Sequence, residues 1–406
     1  MGVFFLIGCL NVMDAQEASQ WRGANRDGIF PDKNLLTKWP KGGPTLLWSI
    51  ENLPKGFSSV SIANGMIYTT GYKDSVDVLV AMDMNGTVKW QKPYGKAWTE
   101  SFPESRCTPT INGNWVYVSS SIGVVACFNA LTGDLRWKRK ASEEYKGLYG
   151  RWGLAESLLV YADKVFFTTG GDETTMIAFD KTTGKTIWIT ESLKDEPSYT
   201  SPLLIDRGGK KIVVNVTTKY IFGVNVEDGK ILWKFDFGVY AEERNNNTNT
   251  PIYADGSIYL TSGYNHKSIK LKLTEDGMHV TLMWAEGVLD NHIGGVVKVG
   301  DYIYGSNWKN NSNGDWVCLD WNTGAVMYDR TWINKGSIIY ADGMLYCFEE
   351  KSGNIALVKA TPEDFKVISS FKVRKGGGPY YAHPVINNGI LYIRHGEALM
   401  AYSIGI

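Results

Sequence analysis

Alternating apolar and polar residues flank a tight turn at Thr108-Pro109-Thr110-Ile111-Asn112-Gly113-Asn114-Trp115-Val116-Tyr117, a pattern that predicts a β-hairpin. It recurs eight times, placing Ser59, Thr108, Ser157, Ser201, Thr250, Gly295, Ser337 and His383 in one register at intervals of 42 to 49 residues. After each hairpin comes a third strand, a turn of the form Ala-x-Asp-x-x-x-Gly and a fourth strand that closes on an aromatic. Ala178-Phe179-Asp180-Lys181-Thr182-Thr183-Gly184-Lys185-Thr186-Ile187-Trp188 shows the whole unit. Four antiparallel strands cannot bury both faces of their sheet alone, so neighbouring units must pack face to face. The prediction is an all-β chain, an eight-bladed β-propeller of four-stranded antiparallel blades.

The terminal aromatics show how the ring closes. Trp48 has no hairpin before it, and the chain ends too soon after His383 for another fourth strand. Residues 44–50 are therefore predicted to supply the outer strand of the last blade, which ties the termini together and leaves no open seam.

Within 406 residues, 42 basic and 42 acidic side chains cancel, and no basic run stands out, which argues against nucleic acid or an anionic membrane as main partner. No apolar stretch is long enough to span a bilayer. Val3 to Met13 is apolar and out of register with the repeats, so residues 1–15 read as a signal peptide and 16–406 as one propeller domain. That predicts a periplasmic or secreted monomer. Leu6-Ile7-Gly8-Cys9 also resembles a lipoprotein box, which would carry lipid on Cys9. Of the other cysteines, Cys107, Cys127, Cys318 and Cys347, none forms a CxxC pair, so neither a disulfide framework nor a zinc site is expected.

The Ala-x-Asp-x-x-x-Gly-x-x-x-Trp units resemble those of pyrroloquinoline-quinone (PQQ) type propellers, the quinoprotein alcohol dehydrogenase-like superfamily. Gln20-Trp21-Arg22-Gly23-Ala24-Asn25-Arg26-Asp27-Gly28 is similar to the opening of its shorter, exported bacterial members. The resemblance runs from about residue 20 to 405 and implies the propeller fold. It is less specific for activity, because one fold carries many functions. Quinoprotein dehydrogenases of this superfamily stack PQQ against a vicinal disulfide and hold Ca²⁺ with Glu, Asn and Asp; this chain has no Cys-Cys pair. The shorter members also resemble the propeller lipoprotein of the outer-membrane barrel-assembly machinery, a scaffold without enzymatic activity. Three functions follow. The first is binding of a small molecule, such as a sugar or quinone, or of a protein at the channel mouth. The second is a PQQ- or metal-dependent oxidoreductase acting on an alcohol or sugar, and the third is an envelope assembly scaffold.

First strands line a propeller's channel, so the residues leading into them converge on one mouth. The Ser and Thr of the shared register read as groups that cap the turn or bond backbone at the strand start. The positions that differ from blade to blade are the site candidates. Arg106, Trp152, Tyr199, Asn249, His292, Lys335 and His383 are assigned to ligand binding, and Glu156 to general-base work, since desolvation would raise its pKa. Two histidines without a third ligand motif do not make a metal site. The polar stretch 241–250 reads as a solvated loop.

Overall fold

The computed structural model describes residues 18–406, so the signal and lipid-box assignments on residues 1–15 lie outside the described residues. Eight four-stranded antiparallel sheets follow one another around a ring. Blades 1 to 7 occupy residues 61–96, 110–140, 159–189, 203–236, 252–286, 296–330 and 336–372. Blade 8 takes Val385–Asn387, Ile390–His395 and Ala398–Ser403 from the C-terminus, and its outer strand is Thr45–Ile50, paired antiparallel to Ala398–Ser403. The closure predicted from the aromatic count is the one observed.

The repeated turn motif is explained by the seams between blades. The Asp turns its carboxylate back on its own loop, as Asp180 does in accepting from the amides of Thr182 at 3.0 Å and Thr183 at 2.7 Å. The Gly then carries the terminal Trp of the preceding blade. Trp137 lies over Gly184, whose φ is 70° and where a Cβ would stand 2.7 Å from the indole. The same indole donates to Lys181 O at 2.9 Å. Trp48, Trp90, Trp188 and Trp284 repeat the bond onto Met84, Leu131, Val226 and Asn322. One glycine therefore serves turn geometry and blade packing together.

The hydroxyl register is also a seam. Ser59 N donates to Thr108 Oγ1 at 3.0 Å, Thr108 N to Ser157 Oγ at 2.9 Å and Ser157 N to Ser201 Oγ at 2.9 Å. These hydroxyls bond the backbone of the preceding blade, so they stitch the inner ring rather than cap their own turns.

The channel is filled by the chain's own Gln20–Gly28 motif. Ala18 N bonds the Asn387 side chain and Asp32 accepts from Gly389 N, both at the hairpin-turn face of blade 8. Between them the segment rises through the channel and returns, pairing with Ile62, Ile111 and Tyr340 on the way. Arg22 and Arg26, both at positive φ, anchor its tip to opposite sides of the ring. Arg26 donates to Ser157 O, Pro202 O and Leu158 O of blades 3 and 4. Arg22 donates to Val296 O at 2.6 Å and Ile338 O at 3.2 Å in blades 6 and 7. Burial lowers both guanidinium pKa values to about 10, so each stays charged at neutral pH.

Candidate functional site

Above the plug, on the face opposite the hairpin turns, the mouth opens into a cavity of about 440 Å³. Its lining shows which residues of the shared register face the axis. For Phe57-Ser58-Ser59, Arg106-Cys107-Thr108, Ala155-Glu156-Ser157, Tyr199-Thr200-Ser201, Thr248-Asn249-Thr250, Ile293-Gly294-Gly295 and Tyr381-Ala382-His383, the first residue of each triplet lines the cavity. In three of them the third residue does so too, and the middle residue never does. This is the period-2 alternation of extended chain carried back from the first strands.

That alternation sorts the predicted site. Arg106, Trp152, Tyr199, His292 and His383 line the cavity; Glu156, Asn249 and Lys335 do not. Glu156 occupies a middle position and is buried, with both carboxylate oxygens accepting from Thr168 N at 3.2 Å and Oε2 accepting from Asn215 Nδ2 at 3.4 Å. Desolvation raises its pKa to about 8, as expected for a buried carboxyl, but the group faces the blades. Asn249, also in a middle position, is used up between blades 5 and 6, donating to Thr261 O and Asn291 O and accepting from Gly295 N. Lys335 is the eighth first-position residue. It turns away to an ion pair with Glu350 at 2.8 Å, only 2% and 6% exposed at the two side chains.

His383 forms part of the floor beside Trp21, whose ring lies 4.6 Å from it, centroid to centroid. Its tautomer is dictated by its partners. An arginine can only donate, so His383 Nδ1 accepts from Arg22 Nη1 at 2.8 Å and Nε2 carries the proton that bonds Ile293 O at 3.0 Å. Burial, with help from Arg22, lowers its pKa to about 3 and holds it neutral. His292 is likewise lowered to about 3 by burial and by Lys335; its Nε2 meets Tyr264 Oη at 3.1 Å and its Nδ1 has no partner among the described residues.

Arg106 differs from the plug arginines. Nη2 donates to Phe102 O at 2.5 Å, whereas the buried Nη1 has no partner among the described residues. No lining residue is Asp or Glu. Trp21, Phe57, Phe102, Tyr199, Tyr264 and Tyr381 supply aromatic wall, and Arg244 adds a second cation. Sequence reasoning left most of these aside, yet Phe57 and Tyr381 hold first positions of the register, and alternation alone would have selected them.

These residues do not fit calcium-bound PQQ. The cavity offers no carboxylate to a cation, the described cysteines are all buried and free, and no cluster of three His, Cys, Asp or Glu that could hold a metal occurs among the described residues. What the lining offers is donors and ring faces, a set suited to holding an anion.

Comparison with known proteins agrees with this architecture. Residues 75–330, more than half of the chain, match the family described as outer membrane protein assembly factor BamB. No curated protein matches in sequence. Among solved structures, BamB from Moraxella catarrhalis is similar at 15% identity and a TM-score of 0.64, covering 89% of this chain and 97% of its own. The quinohemoprotein alcohol dehydrogenases of Pseudomonas putida and Comamonas testosteroni are similar at 13% and 12% identity. Both have a TM-score of 0.68 and cover 96% of this chain and 81% of theirs. At such identities the likeness shows the propeller fold. No helix among the described residues is long and apolar enough to cross a membrane.

Proposed function

The chain belongs to the PQQ-repeat family described as outer membrane protein assembly factor BamB, and on that premise we propose that it is an exported envelope protein that binds a small anionic ligand in the mouth cavity. The observation that carries the reading is Arg106 in the wall of a cavity lined by no carboxylate, with its buried Nη1 lacking a partner among the described residues. A buried guanidinium N–H left without an acceptor is costly, and a ligand carboxylate would satisfy it with a charge-assisted bond. Trp152, Tyr199 and Tyr381 would hold the ligand's apolar face.

Isothermal titration with a panel of small carboxylates and their neutral amides tests this. Carboxylates should bind and the amides should not, and Arg106→Gln should weaken binding by about tenfold or more, as for loss of one charge-assisted bond. Equal binding of acid and amide would refute it. A protein partner is the second reading, favoured by Phe102, Leu148 and Tyr149, which are exposed apolar residues in loops on the mouth face. Under that reading, a Phe102→Ser variant would lose an envelope protein captured by cross-linking in cells.

A further inference from the structure

Beside the mouth lies a second hollow of about 350 Å³, between the loops that follow blades 2, 3 and 4. It is continuous with the first, since Trp152, Tyr199, Arg244 and Asn246 line both. Arg151 lines only the second. Across the two hollows stand three arginines, Arg106, Arg151 and Arg244, none of which has an ion-pair partner among the described residues. Elsewhere Arg139, Arg207 and Arg330 each hold a carboxylate. Arg151 and Arg244 lie instead over rings, 5.5 Å from the centroid of Trp152 and 5.4 Å from that of Tyr264. The one carboxylate in the lining, Glu196, belongs to the second hollow.

We propose that the two hollows form a single trough for an acidic oligosaccharide, a chain of uronic-acid-type sugars. Arg106 would take one carboxylate, and Arg151 with Arg244 the next. This rests on the anion-binding reading of the mouth and extends it to a ligand class. Three unpaired cations separated by aromatic walls match a ligand that repeats one negative charge per ring and turns an apolar C–H face between charges. An acidic peptide could meet the same arginines, but the second hollow, lined by loop residues outside the blades' strands, offers no strand edge for its main chain, and a peptide brings no apolar ring face to the aromatic walls.

The test is calorimetry with galacturonate, trigalacturonate, a neutral galactose trisaccharide and triglutamate, on the wild type and on Arg151→Gln. Trigalacturonate should bind about tenfold more tightly than galacturonate, as for one added charge-assisted contact, and Arg151→Gln should return it to the monomer's affinity. Arg151 is exposed, so the variant should fold, which a thermal melt checks. Equal affinity for monomer and trimer would sink the trough while leaving the mouth reading intact. Triglutamate or the neutral trisaccharide binding as tightly as trigalacturonate would overturn the ligand class. Binding of no uronate would overturn this proposal, even if other small carboxylates bound and the mouth reading survived.

Discussion

Two groups of arginines, one in the plug and one at the mouth above it, behave in opposite ways. Arg22 and Arg26, in the plug, spend their N–H groups on backbone carbonyls of blades 3, 4, 6 and 7. Above it, Arg106 bonds Phe102 O through Nη2 but leaves the buried Nη1 without a partner among the described residues, and Arg151 and Arg244 lie against rings. A guanidinium has five donors in a fixed fork, so its accounting reveals its role: saturated by carbonyls it is a rivet, unsaturated at a cavity wall it awaits an acceptor. The same residue type thus closes one end of the channel and equips the other.

Removing a rivet should have the largest effect. Arg26→Ala leaves the carbonyls of Ser157, Leu158 and Pro202 buried without their donor, and should cost about 3 kcal/mol or more, read from urea unfolding. Arg26→Lys should not rescue it, because one ammonium cannot span three carbonyls on two blades. Arg151→Gln should stay within about 0.5 kcal/mol of the wild type in the same assay. If Arg26→Ala proved as mild, the contrast between the two groups would collapse.

Much of this was legible in the sequence, and the reasons differ from element to element. The Asp-x-x-x-Gly turn with its Trp recurs because each seam needs the same clearance, as Gly184 under Trp137 shows. Repetition exposes such a requirement, and the closure by Thr45–Ile50 followed from counting it. The site was half legible. Arg106, Tyr199 and His383 vary within the register and line the cavity, but Glu156 and Asn249 vary as well and face the blades. Variation says that a position is not dictated by the repeat, whereas direction comes from the two-residue alternation. Lys335 was sorted by neither rule, since it is drawn off by Glu350, its neighbour across the hairpin of Gly336–Ala341 and Met344–Glu349. The plug was visible only as a family-like motif, because the carbonyls that capture Arg22 and Arg26 are contributed by residues more than a hundred positions away.

Trp21 belongs to both ends of the comparison. It is carried by the plug, bonds Thr250 Oγ1 through its indole at 3.1 Å and lies beside His383 in the cavity floor. Trp21→Ala should therefore register in both assays, with about 2 kcal/mol lost from stability for a half-buried ring and weaker binding of the small carboxylate. A variant that kept full affinity while losing stability would show that the plug merely blocks the channel and does not shape the site.

The pH dependence concerns the charge that neither group of arginines neutralises by contact. Glu156 is raised to about 8 in the folded chain by burial, with Arg26 opposing the shift through space. A carboxyl whose folded pKa exceeds its unfolded value contributes stability that is fully present below about 4.5 and is lost as pH rises through about 8. His292 and His383 act at the other end. Both are lowered to about 3, so the protein loses stability as pH falls from about 6.5 toward that value, where the unfolded chain binds protons that the folded chain refuses. Glu156→Gln removes only the alkaline arm. Melting curves from pH 5 to 9 should show the variant gaining on the wild type with rising pH, by up to about 3 kcal/mol between pH 5 and pH 8, while the acid arm is unchanged. Parallel curves would mean that Glu156 is already ionised in the folded protein, held so by Arg26, and that the plug arginine neutralises a carboxylate as well as bonding carbonyls.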